Sequence, residues 1–331
     1  MAIVLLLLFV FTIGGGCVYR DYDSPFDMHE ESGQLNLLLM LNAGLGSRPR
    51  IGYSWRLVNS SAAFTPRSNP LLLVFRERLW VLGGFDTNGD WLSDAWSSPD
   101  GVVWTRIASS LPVTSTGTRL AGAVFQGRMW IFDNTRAYAS TDGASWSLIA
   151  TIPSAITIRS AFVYGGLLQV VDPEGVTVNF QSGDGITWST REFLSGTFGD
   201  YADIFFADGF SRYTFGNRIG HIDSERKFEE LAELNFFPHR VLPFDGRFWA
   251  FGADVQYSRD GLLWTGTTPL NLVCCREPQI PRRILFDITV FQNSFWFVGG
   301  IDQSGTVRND VWQSLGGGQG ADGELRSDGS L

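Results

Sequence analysis

The chain has 331 residues, 44% of them hydrophobic and 14% aromatic, so material for a large core is ample; its formal charge of −9 disfavours the phosphate-neutralising contacts behind sequence-independent nucleic-acid binding. Lys227 is the only lysine, which leaves Schiff-base chemistry and a phosphate-cradling P-loop one poorly placed candidate each. There is no G-x-x-x-x-G-K-[ST], no G-x-G-x-x-G after a strand pattern, no H-E-x-x-H and no C-x-x-C pair, and no cofactor or metal is implied.

Residues 1–17 read as an export segment. Residues 2–16 are uncharged and mostly Leu, Val, Ile and Phe, and the small residues Gly14, Gly15 and Gly16 precede Cys17. The run is shorter than the roughly 20 apolar residues of a membrane-spanning helix and fits the apolar region of a signal peptide. A cysteine after such a site resembles the lipobox of bacterial lipoproteins, which implies lipidation of Cys17, a membrane partner and a place in the cell envelope. Gly14 departs from that family's usual Leu or Val, and no Lys or Arg precedes the run. An ordinary secretory signal and an uncleaved anchor are the alternatives.

Residues 18–49, acidic at Asp21, Asp23, Asp27, Glu30 and Glu31, read as a tether, within which residues 35–45 form an apolar piece too short to cross a bilayer. Residues 50–315 hold an array, and the Gly-rich stretch 316–331 reads as a disordered tail. The array is marked by four copies of Ser-x-Asp-Gly-x-x-Trp, at 98–104, 140–146, 182–188 and 258–264. Their tryptophans fall 42, 42 and 76 residues apart, the last close to two periods, as for the blades of a β-propeller.

Each unit opens with two apolar strands joined by a two-residue turn. The pairs are 71–75 with 79–82, 120–125 with 129–132, 161–164 with 167–171, 204–207 with 211–215, 241–244 with 247–251 and 288–291 with 295–298. The turn residues, such as Gln126-Gly127, Gly165-Gly166, Asp245-Gly246 and Gln292-Asn293, tolerate hairpin dihedrals. A third strand, the Asp-Gly turn and a Trp-bearing fourth strand follow. Asp-Gly suits a type I′ turn, and the motif tryptophan is expected to fill the wedge between neighbouring blades. In the fourth unit the motif decays to Ser224-Glu225 followed by Phe228, so that blade is expected to be the loosest. The sixth unit lacks a fourth strand, and residues 53–58, Tyr-Ser-Trp-Arg-Leu-Val, look like the missing one. The expectation is an all-β, six-bladed propeller of four-stranded antiparallel blades, monomeric, and closed by an N-terminal strand that completes the last blade.

Gly83-Gly84 followed by Trp96, and Gly299-Gly300 followed by Asn309-Asp310-Val311-Trp312, resemble kelch repeats; the four turn motifs resemble the Asp-box of sialidase propellers, shortened by one residue. Units two to five lack the double glycine, with Phe132-Asp133 and Phe251-Gly252 in its place. The resemblance implies a fold that hosts unrelated functions, among them copper-dependent galactose oxidase, sialic acid epimerase and protein-binding modules. Galactose oxidase chemistry needs paired His and Tyr ligands; His221 and His239 carry no such pattern, and no Tyr is marked as a sialidase nucleophile.

Arg67, Arg119, Arg159, Arg240 and Arg283 stand before or at the start of a unit's first strand, which lines the channel of a propeller. Convergent guanidinium groups there would suit an anionic ligand; the plainer reading is that they cap turns or stack on aromatic rings. Asp100, Asp142, Asp184 and Asp260 are read as turn formers. Cys274 and Cys275 are adjacent, closer than most disulfides allow, which favours two thiols over a strained vicinal disulfide. The leading functional reading is a protein- or glycan-binding scaffold at the cell envelope, with loops 87–93, 267–282 and 302–308 the longest. A carbohydrate-active enzyme, epimerase-like or sialidase-like, is the alternative.

Overall fold

The computed structural model describes residues 55–113, 120–152, 158, 160–171, 178–192, 204–207, 210–215, 217–222, 228–252, 255–266 and 283–315. Residues 1–54, including Cys17 and the tether, lie outside this set, as do Arg119, Arg159, Cys274, Cys275 and the tail. No helix among the described residues is long and apolar enough to cross a membrane.

Strand β1 (Trp55–Asn59) opens the fold. Sheet one is β2 (Leu71–Phe75), β3 (Arg78–Leu82), β4 (Ala95–Ser98) and β5 (Thr105–Ala108); sheet two is β6 (Ala121–Phe125), β7 (Arg128–Asp133), β8 (Arg136–Ser140) and β9 (Ser147–Thr151). Sheet three is β10 (Ser160–Tyr164), β11 (Leu167–Val171), β12 (Val178–Ser182) and β13 (Ser189–Glu192); sheet four is β14 (Ile204–Ala207), β15 (Phe210–Phe215), β16 (Arg218–Ile222) and β17 (Phe228–Glu233). Sheet five is β18 (Pro238–Phe244), β19 (Arg247–Gly252), β20 (Val255–Ser258) and β21 (Thr265–Gly266). The short pair β22 (Arg283–Ile284) and β25 (Ile301–Asp302) flanks the last sheet, where β23 (Asp287–Phe291) and β24 (Ser294–Val298) are followed by β26 (Val311–Ser314) and then by β1. In that sheet Trp55 faces Ser314 and Leu57 faces Trp312, so its outer strand comes from the opposite end of the array.

Every ladder within these four-stranded sheets is antiparallel, each hairpin turning back on its neighbour. The first strands stand side by side in the order β14, β18, β23, β2, β6, β10. Apolar clusters fill the gaps between consecutive sheets: Leu71, Phe75 and Trp80 of sheet one pack with Met129 and Ile131 of sheet two, and Trp249 and Phe251 of sheet five pack with Phe295 and Phe297 of the last. A sheet buried on both faces explains strands such as Leu71-Leu72-Leu73, whose apolar residues run without alternation. The result is an all-β propeller with four-stranded antiparallel blades.

The motif tryptophans lie between sheets as expected: Trp104 packs in one cluster with Phe291 and Val298 of the last sheet, and the Trp188 ring meets Phe132 of sheet two edge-on, while each motif indole N–H bonds back to its own turn. They share these gaps with the second-strand tryptophans: Trp80, Trp130, Trp249 and Trp296 are buried, and each donates its indole N–H to a carbonyl five residues back, Phe75, Phe125, Phe244 and Phe291. One local expectation, turn type, is corrected. The hairpins between first and second strands are the ones with two successive positive φ values, as at Arg76-Glu77 and Gln292-Asn293, which matches the twist of the strands they join. In the Asp-Gly turns only glycine is left-handed, because the aspartate folds its carboxylate onto the following amides.

Candidate functional site

The hairpin order gives each blade two edges. The Asp-Gly turns lie at the edge where third strands end and fourth strands begin; the opposite edge holds the connections between second and third strands and the entries to the first strands. At the first edge the motif repeats one hydrogen-bond set. Gly101 N–H donates to Ser98 Oγ at 2.8 Å, Val102 and Val103 N–H donate to Asp100 Oδ1 at 2.9 and 3.0 Å, and Trp104 Nε1 donates to the Gly101 carbonyl at 2.9 Å. The sets at Asp142, Asp184 and Asp260 have the same partners. The backbone N–H of Val103, then of Val102, holds the Asp100 carboxyl below the usual carboxylate range, and Ser145 and Ala144 do the same for Asp142. These carboxylates are occupied as turn formers.

The opposite edge carries a constellation that occurs twice. Arg67, fully buried, sends Nη1 to the Gly83 carbonyl at 2.8 Å and to Asp94 Oδ1 at 2.8 Å, while Trp96 Nε1 donates to Asp94 Oδ2 at 2.7 Å. In the last sheet Arg283 bonds the Gly299 carbonyl at 2.9 Å and pairs with Asp310, which accepts Trp312 Nε1 at 2.9 Å. Burial raises the Asp94 carboxyl, but the Arg67 and Trp96 bonds outweigh it and hold the group below its ordinary value. Burial lowers the Arg67 guanidinium from a value so high that it stays charged. The two charges neutralise each other where both are largely shut off from water, the condition under which a buried pair is tolerated.

These pairs brace two copies of one loop, residues 83–94 and 299–310. In the first, Asp86 Oδ1 accepts the amides of Asn88 and Asp90 at 2.8 and 2.9 Å; in the second, Asp302 Oδ1 accepts those of Ser304 and Thr306 at 2.9 and 3.0 Å. The Ser304 hydroxyl, then the Thr306 amide and Arg308, hold the Asp302 carboxyl far below its ordinary value. The loops interlock with the segment entering β2: Arg67 N–H donates to the Arg308 carbonyl, Gly300 N–H to the Arg67 carbonyl, and Asn69 N–H to the Leu285 carbonyl. A further pair ties the inner strands together, since Asp287 accepts Arg240 Nε at 2.9 Å and the Leu72 amide at 2.8 Å, spanning sheet five, the last sheet and sheet one. The resulting platform is pinned underneath and exposed at Thr87, Asn88, Asp90, Gln303, Ser304 and Thr306.

Of the five arginines expected near the channel, Arg67, Arg240 and Arg283 are brought to this edge, each against a carboxylate; Arg119 and Arg159 lie outside the described residues. Loops 87–93 and 302–308 are placed on adjoining sheets, while 267–282 lies outside the described set. His221 pairs with Glu229 at 3.2 Å across two strands, and His239 meets the Phe286 ring edge-on. No group of three or more His, Cys, Asp or Glu side chains among the described residues is placed to hold a metal ion. The partners Asp94 and Asp310 were missed from the sequence; the equal separation of Arg67 from Asp94 and Arg283 from Asp310, with Trp two residues later, was the available signal.

Comparison with known proteins agrees on architecture. A family described as "DUF6242 beta propeller domain" matches residues 98–199. No curated protein matches. Among solved structures, YjhT is 12% identical at a TM-score of 0.51, covering 77% of this chain and 96% of its own. A catalytically inactive virginiamycin B lyase from Staphylococcus aureus with quinupristin is 11% identical at 0.47, covering 78% and 98%. A streptogramin B lyase is 11% identical at 0.46, covering 80% and 99%. At such identities the likeness to YjhT speaks to the propeller fold and to nothing beyond it.

Proposed function

We propose that this protein is an exported, lipid-anchored binding scaffold of the kelch type, whose pinned loop edge takes a protein or glycan ligand. The observation that carries the reading is the duplicated loop: two copies of the same turn, each nailed by a buried Arg–Asp pair, present hydroxyl, amide and carboxylate groups on adjoining blades. A binding surface built on rigid loops loses little conformational entropy on association. The six four-stranded sheets are read as one six-bladed ring with β1 as its clasp, the four turn motifs as shortened Asp-boxes, and Cys17 as the lipidated residue of a cell-envelope protein.

Full-length protein on a glycan array, with pull-down from membranes in parallel, tests the scaffold. Binding that is lost in the combined variant Asn88→Ala, Asp90→Ala, Ser304→Ala, with stability retained, supports it; a ligand held elsewhere refutes the assignment. The anion site rests on Arg119 and Arg159. Their replacement by Ala abolishes binding of acidic glycans if the site exists, and unchanged binding removes it. A carbohydrate-active enzyme is the second reading, and turnover of a sialylated substrate decides for it.

A further inference from the structure

The Asp-Gly edge has an apolar feature that turn formation does not require. The two residues between glycine and tryptophan point away from the sheet, and three of the four turns carry large apolar side chains there. Val103 is 63% exposed, Ile186 62% and Leu263 74%, with Val102 and Leu262 beside two of them. Leu315, directly after β26, is exposed at the same edge. A turn needs only the backbone amides of these residues, as Ala144-Ser145 in sheet two demonstrates by making the same bonds with small side chains.

These tips belong to sheets one, three and five, so what covers them must be flat and extend across the ring. The chain itself indicates what that is. In the last sheet the place of the Asp-Gly turn is taken by the end of β26 and the start of β1, with Trp55 opposite Ser314. The N-terminal end of β1, through which the chain connects back to the apolar run 2–16, therefore lies at the edge that carries the apolar tips. That edge also holds the exposed Arg76 and Arg128 together with the exposed acids Glu77, Asp100, Asp142, Asp184 and Asp245, so the apolar tips rather than charge carry a contact with a headgroup layer.

We infer that the Asp-Gly edge rests on a lipid bilayer, with Val103, Ile186 and Leu263 entering the headgroup region, and that the duplicated loops point outward. The orientation is separate from the ligand-binding reading, since it concerns the opposite edge. The anchor reading supplies proximity to a membrane, and the tips supply the contact.

Hydrogen exchange on the full chain, with and without vesicles of phosphatidylcholine containing phosphatidylglycerol, tests it. Vesicles should slow exchange at 98–104, 182–188 and 258–264 several-fold and leave 86–90 and 302–306 unchanged. In the variant Val103→Ser, Ile186→Ser, Leu263→Ser this several-fold protection should be lost, because interfacial affinity scales with the apolar area buried. Because the replaced side chains are exposed, strand exchange without vesicles should match the parent and show that the variant folds. Unchanged turns, equal protection in the variant, or concentration-dependent protection without vesicles, the mark of a second copy, would each overturn the inference. Absence of a ligand at 86–90 leaves it standing.

Discussion

The α-carbon of Gly101 lies against the indole of Trp296, so close that an added Cβ would stand 2.1 Å from Cζ3. Gly143 meets Trp80 and Gly185 meets Trp130 in the same way, each turn seated on the second-strand tryptophan of the preceding sheet. The glycine is required twice, for its φ of +71° and for the missing Cβ. Gly101→Ala should therefore cost about 2–4 kcal/mol, combining left-handed strain with overpacking against a buried ring. Gly127→Ala, at φ +70° with no atom within 4 Å, isolates the backbone share and should cost about 1–2 kcal/mol. Denaturant unfolding of both variants measures the difference; equal losses would refute the seating.

The Arg67–Asp94 pair makes a different demand. Removing one member leaves the other charged, buried and alone, so Arg67→Met or Asp94→Leu should each cost about 3–5 kcal/mol. The double variant should recover part of the loss, since apolar replacement of a whole buried pair is often close to neutral. A double-mutant cycle by thermal unfolding gives the coupling, and additive losses would show that the two residues act independently.

Blade architecture was legible because period and turn chemistry are local: the four Asp-Gly motifs, the hairpin residues and the Trp-bearing strand at Trp55 all map onto ladders. The second-strand tryptophans were less legible: that Trp80 and Trp130 also stand between sheets, each beneath the glycine of the next sheet's turn, depends on packing between elements. The carboxylate partners of the arginines were not legible for a related reason. Their position before each first strand is visible in the chain, but the carboxylate that Arg67 meets is 27 residues away, beyond a loop whose course only the fold defines.

Stability should fall in acid. The carboxyls of Asp94, Asp100 and Asp142 are held below their ordinary values in the folded chain. A depressed folded value means that the unfolded chain binds protons first, so their contribution is present above the unfolded value, about 3.9, and is lost as pH falls through the folded one. The melting temperature should be level from about pH 5 upward and drop steeply below about pH 4. Asp142→Asn should flatten that drop, and an unaltered drop in this variant would show that the turn carboxylate takes no part in it.

The sheet built from both ends of the array is tested through Trp55. This side chain is 1% exposed, faces Ser314 across the β1–β26 ladder and packs on the Phe295 ring at 6.5 Å. Truncation removes a large buried ring, so Trp55→Ala should cost about 3–5 kcal/mol. If β1 clasps the ring, the loss is local first: amides of β26 and β24 should exchange faster well below the global unfolding midpoint, while those of β10 and β11 keep their protection. Loosening must then spread to the neighbours of the last sheet, reaching Leu72, whose amide is held by Asp287, before it reaches sheet three. Uniform acceleration across all sheets would mean that β1 is an ordinary part of the core, and exchange unchanged in β26 would remove it from the closure altogether.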